Sequence, residues 1–93
     1  MKYAIVISDE ARKNIANASL YYHKISPVLK DSFLEKVIQT INLLQNNPKH
    51  YQFRYKNIHI ANIERFPFSV HFIMEDTIIY VLKVLHQKQY YRN

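Results

Sequence analysis

Ninety-three residues with 48% apolar content suffice for one domain around one core, and a chain this short buries only about 60–65% of its unfolded surface, so its stability is marginal. It contains no cysteine, which excludes a disulfide framework and any thiolate metal site, and no glycine, which excludes the glycine-rich phosphate loops of nucleotide-binding proteins. The formal net charge of +6 favours an anionic partner, whether nucleic acid, the ribosome or an acidic protein. No apolar run approaches the roughly 18 residues of a membrane span, and no charged segment leads an apolar leader; the reading is a soluble, cytoplasmic protein.

The chain opens on an apolar, β-branched stretch, Lys2 to Ser8, that predicts a short strand. Ser8 and Asp9 suit a helix N-cap, and Asp9 and Glu10 suit the positive end of the helix dipole. Ala11, Ile15, Ala18, Tyr22 and Ile25 then recur at three- and four-residue steps, an apolar stripe on a helix from Asp9 to Lys24. Ser26-Pro27 ends it, with Pro27 placed for the first turn of a second helix. That helix runs from Pro27 to Gln45 on Leu29, Phe33, Val37, Ile41 and Leu44, widened by Leu34 and Ile38, and stops at Asn46-Asn47-Pro48. The short connection makes the pair an antiparallel hairpin.

Lys49 to Lys56 is basic and aromatic without a clean period, a loop or an irregular edge strand. Three strands follow: Ile58 to Glu64, Phe68 to Glu75, and Thr77 to Gln87, the last two joined by an acidic tip at Glu75-Asp76. Phe68, Val70, Phe72 and Met74 alternate with Ser69, His71, Ile73 and Glu75, which predicts one buried and one mixed face. From Ile78 to Val84 the last strand is apolar on both faces, so it belongs inside the sheet. The fold class is α+β, in the order β-α-α-β-β-β. An N-terminal strand pairs with a later one, and a two-helix hairpin packs on one face of a sheet whose last three strands form an antiparallel meander.

Several of these stretches, taken in order, carry a resemblance: Phe33-Leu34 through Leu43-Leu44, Asn47-Pro48, Arg65-Phe66-Pro67-Phe68, and Val81 through Lys88. Over nearly its whole length, as a single domain over 1–93, the chain resembles the RelE/ParE superfamily of toxins from bacterial type II toxin–antitoxin modules, and within it the ParE-like branch. That branch often ends its second helix on Asn-Pro, places Arg-Phe-Pro-Phe or Arg-Phe-Pro-Tyr before the third strand, and closes on a Val-x-His-x-x-Arg-like segment. Here that segment is Val84-Leu85-His86-Gln87-Lys88, with Lys88 near the arginine position. The resemblance implies a growth-inhibiting toxin neutralised by a cognate antitoxin, without cofactor or metal, touching operator DNA only through the antitoxin and not touching membranes. Plasmid stabilisation is the biological setting this implies. Its cellular target is DNA gyrase in ParE-like members. In RelE-like members it is messenger RNA on the ribosome, which they cut as metal-independent endoribonucleases. A third possibility is a non-toxic binding module that serves repressor assembly.

RelE-like chemistry needs cations on the sheet to hold the scissile phosphate, and groups that move protons to and from the 2′-hydroxyl and leaving oxygen. By the resemblance those cationic positions fall on Ile60, Asn62 and Ser69, none of which carries charge, whereas a histidine is retained at His86. His86 is thus the one catalytic candidate, relevant only to a ribonuclease; the alternative is a strand-end histidine bonded to the chain that follows. Arg65, Lys83, Lys88, Tyr90, Tyr91 and Arg92 are the candidates for binding target or phosphate, since arginine and lysine pair with phosphate and tyrosine stacks on bases. Arg65 can equally pair with Glu64, Glu75 or Asp76. Lys83 can snorkel to the sheet edge, and the tail residues can fray. His59, His71 and His86 fall on three predicted strands but lack ligand-like spacing and a carboxylate, so no metal is expected. Tyr21 is expected to face outward, toward a partner.

Overall fold

A computed structural model describes residues 3–48, 53–55 and 57–90. The elements in chain order are β1 (Ala4–Ile7), α1 (Asp9–Ile25), α2 (Pro27–Asn46), β2 (Phe53–Tyr55), β3 (Ile58–Asn62), β4 (Phe68–Glu75), β5 (Ile78–His86) and the single turn α3 (Gln87–Tyr90). Among the described residues five strands form one sheet in the order β1-β5-β4-β3-β2. The last three strands are the expected antiparallel meander, and β1 closes the sheet by pairing parallel with β5, so the sheet is mixed. The stretch left open as a loop or irregular edge becomes β2, an edge strand with a register shift against β3. Among the described residues no helix is long and apolar enough to cross a membrane.

Ser8 starts α1 as expected and does more. Its hydroxyl accepts the Ala11 N–H at 3.0 Å and donates to the Leu82 carbonyl at 2.7 Å, while its own N–H bonds the Val81 carbonyl at 3.0 Å. One N-cap residue therefore ties the helix start to β5. The Ser26 N–H closes α1 on the Tyr22 carbonyl, and Pro27 opens α2, where its missing N–H costs nothing.

The core lies between the hairpin and the sheet. It joins Ala11, Ala18 and Tyr22 of α1, Phe33, Val37 and Leu44 of α2, and Ala61, Val70, Phe72, Ile79, Val81 and Val84 of the sheet. Rings concentrate at one end: Tyr22 and Phe33 each approach Phe66 and Phe68, with centroids 5.1–6.2 Å apart and mostly edge to face. Two predicted stripe members depart from the pattern. Ile25 and Ile38 are exposed, because each stripe drifts off the contact line near its edge.

Within β5 the register slips by one residue: Phe72 pairs with Val81 but His71 with Lys83, leaving Leu82 as an extra residue. Before the bulge Ile79 and Val81 face the helices; after it Val84 and His86 do. This explains why the strand reads as apolar on both faces.

Candidate functional site

Where β1 ends at Ile7, β5 runs on for five more residues, and on the edge away from β4 no strand among the described residues pairs with them. There α1 takes over as neighbour, and the Asn14 carboxamide oxygen accepts the Val84 N–H at 3.0 Å. Farther along, a groove of 490 Å³ lies between α1 and the end of the strand. Its floor is Ala18, Tyr22, Phe68 and Val84, and its walls are Asn17, Tyr21 and Ile25 on one side and Pro67 and His86 on the other. Tyr21 and Ile25 are 61% and 59% exposed, so two large apolar side chains flank the opening without being covered by the chain itself. Tyr21 packs edge-on against Tyr22 at 5.2 Å, and burial with that neighbouring phenol pushes the Tyr22 hydroxyl above its ordinary range.

His86 belongs to this groove. Its ring meets Phe68 edge-on at 5.2 Å, and its Nδ1 accepts the Lys88 N–H at 3.1 Å. That bond leaves Nδ1 without a proton and puts the ring proton of the neutral form on Nε2. The bonded strand end and the groove histidine are thus the same residue.

The other candidates fall elsewhere. Lys83 sits across from His71 on the face turned away from the helices, 3.8 Å from the Glu10 carboxylate. His86 and Lys83 therefore project from opposite faces. Arg65 lies in the turn between β3 and β4, exposed, at φ 72°. Its expected partner Glu64 is bonded instead to the Lys36 ammonium at 2.8 Å, which holds the carboxyl below its usual range. Lys88 lies on α3 and Tyr90 closes it, while Tyr91 and Arg92 lie outside the described residues. The histidines do not converge: His59 faces the core stacked on Phe72 at 5.2 Å, His71 is on the opposite face, and His86 is at the strand end.

Ile60, Asn62 and Ser69, the positions without charge, share the face of His71. Ser69 and His71 are fully buried there, and the Ser69 hydroxyl bonds the Asn62 side-chain oxygen. Burial, with the Lys83 ammonium as a second cause, pushes the His71 imidazole down to about 4, so this face holds a neutral histidine at physiological pH.

Sequence reasoning missed Asn14 and Asn17. Their signal was a second stripe, Asn14, Asn17, Tyr21 and Ile25, running beside the apolar one on α1.

The model of the family described as "ParE toxin of type II toxin-antitoxin system, parDE" matches residues 5–91. The chain belongs to the ParE toxin family. Solved structures with the same fold include the chromosomal ParDE toxin–antitoxin system from P. aeruginosa, at TM-score 0.73 and 14% identity, covering 91% of this chain and 96% of that one. The toxin–antitoxin complex RelBE2 from Mycobacterium tuberculosis aligns at TM-score 0.60 and 18% identity, covering 92% of this ParE-family chain and 99% of that one. No curated protein sequence matches the chain.

Proposed function

We propose that this ParE-family chain, as one domain over residues 1–93, is a cytoplasmic toxin held inactive by a cognate antitoxin. When released, it stops growth by poisoning DNA gyrase. The observation that carries the antitoxin half is the groove between α1 and the end of β5. It has an aromatic floor, two exposed apolar walls and no acidic lining residue, and Lys24, Arg65 and Lys88 stand within two residues of the lining residues Ile25, Pro67 and His86. Such a site suits an amphipathic segment with apolar anchors and acidic flanks. The likeness to the ParDE and RelBE2 complexes supports a partner of this kind. Tyr21→Asp and Ile25→Asp, both at exposed positions, are expected to weaken antitoxin binding about 100-fold while leaving the fold intact by circular dichroism.

The gyrase half is supported by the sheet. The three positions where a ribosome-dependent nuclease would hold the phosphate are Ile60, Asn62 and Ser69. Lys83, the cation within β5, faces away from His86. Purified chain should inhibit gyrase supercoiling and leave messages on translating ribosomes uncut. Cleavage that disappears in His86→Ala would establish the nuclease instead. Harmless induction in cells without antitoxin would leave only repressor assembly.

A further inference from the structure

We propose that the groove between α1 and the end of β5 also takes a small molecule, a free nucleoside phosphate, with its base on the aromatic floor and its phosphate at the cationic end. This goes beyond the reading of the groove as an antitoxin site and does not depend on it. At 490 Å³ the groove has the size of a small-ligand pocket, and its lining is of that kind, mainly apolar and aromatic with a few polar groups. Tyr22, Phe68 and the exposed Tyr21 give it the ring surface that suits a planar base.

The polar groups are unevenly placed along it. Asn14 and Ile25, which both line the groove, are separated by about 16 Å of helix, enough for a nucleotide lying lengthwise. At the first end, the Asn14 carboxamide oxygen is taken by the Val84 N–H at 3.0 Å. That bond fixes the amide and leaves its NH2 group as the donor Asn14 can offer a ligand. Asn17, one turn on, is exposed and brings a second carboxamide. Ring nitrogens and exocyclic oxygens of a base are acceptors for such donors.

At the other end the charges are cations. Lys24 follows Tyr21 by three residues and Asn17 by seven, which puts it on their side of α1. Arg65 and Lys88 stand two residues from the lining residues Pro67 and His86. Glu64, the acid beside Arg65, is bonded to Lys36 at 2.8 Å. Beyond the amide end the charges are mixed: Asp9, Glu10 and Lys13, with the Glu10 carboxylate 3.8 Å from Lys83. A phosphate is therefore drawn to the Lys24 end. The same asymmetry favours one nucleotide over a nucleic-acid strand, because a strand continuing past Asn14 leaves the cations and meets Asp9 and Glu10. With no glycine in the chain, side chains and not a glycine-rich loop hold the phosphate.

The test titrates AMP, adenosine and inorganic phosphate separately into the isotope-labelled full chain and follows the backbone signals by NMR. AMP should shift residues 14–25 and 84–88 and bind about tenfold more tightly than adenosine or phosphate. Tyr21→Ala, at an exposed position, should weaken AMP about tenfold. Lys24→Gln combined with Lys88→Gln should bring AMP to the affinity of adenosine and leave adenosine itself unchanged. The proposal is overturned by the absence of saturable shifts up to about 10 mM AMP, or by shifts centred outside the groove. A single-stranded oligonucleotide that binds over about tenfold more tightly than AMP overturns the choice of a free nucleotide. The antitoxin reading fails separately, through unchanged antitoxin binding by the Tyr21→Asp chain, whatever AMP does.

Discussion

The two faces of the sheet meet at adjacent residues in β4. Phe72 and His71 are both fully buried, yet Phe72 lies among the rings and aliphatic chains under the hairpin, and His71 lies beside Ser69 and Lys83 on the other side. The first face is held mainly by removal of apolar surface from water, which is indifferent to pH, although it also carries His59 stacked on Phe72. The second buries groups that interact with water and protons, and its stability is therefore conditional. The hairpin face builds the molecule, and the opposite face is where conditions in the solvent are felt.

The largest expected effect lies on the apolar face. Phe72→Ala should cost about 3–5 kcal/mol in urea denaturation, a large part of what a small domain has. If the cost stays below about 1 kcal/mol, the two faces do not differ in the way described. The next effect separates them by pH. The His71 value of about 4 lies below the ordinary 6.5, so the unfolded chain takes up the proton first as pH falls. Its contribution is complete above pH 6.5 and is lost as pH falls toward about 4, at up to about 1.4 kcal/mol per pH unit. In His71→Leu that part of the acid loss should vanish, which urea curves at pH 7, 5.5 and 4.5 would reveal as a flatter profile than the parent's.

The smallest effect sits in the turn that leads into β4. Arg65 holds φ 72° in a chain with no glycine, a conformation that costs a long side chain about 1 kcal/mol. Arg65→Asn should recover up to about 1 kcal/mol, read as a higher denaturation midpoint, because asparagine tolerates that region. Asp76, at φ 54° in the β4–β5 tip, is already a residue suited to it.

Much of this fold was legible because hydrophobic period and caps act locally. Ser8, Pro27 and Asn46-Asn47-Pro48 mark the helix ends to within a residue or so, and the meander follows from alternation. What was not legible depends on contacts distant in the chain. Nothing near Asn14 in sequence announces that it will receive a hydrogen bond from Val84, 70 residues later. The burial of His71 is equally hidden, since a histidine in an alternating strand reads as a solvent-facing residue until the surrounding face is built. Ile25 illustrates the opposite error: its spacing placed it in the core, but it stands at the last turn of α1, past the sheet, and becomes a groove wall.

The extra residue at Leu82 has a consequence for how such a protein can change. Deleting that codon would iron out the bulge and leave the downstream faces as they are, with Lys83 still opposite His71 and His86 still opposite Phe68; absorbing Leu82 into regular alternation would instead exchange them, turning Lys83 inward against the hairpin and His86 to the far side. The bulge itself works as the toggle, and point substitutions can tune the two surfaces separately only while the pairing on both sides of it is kept.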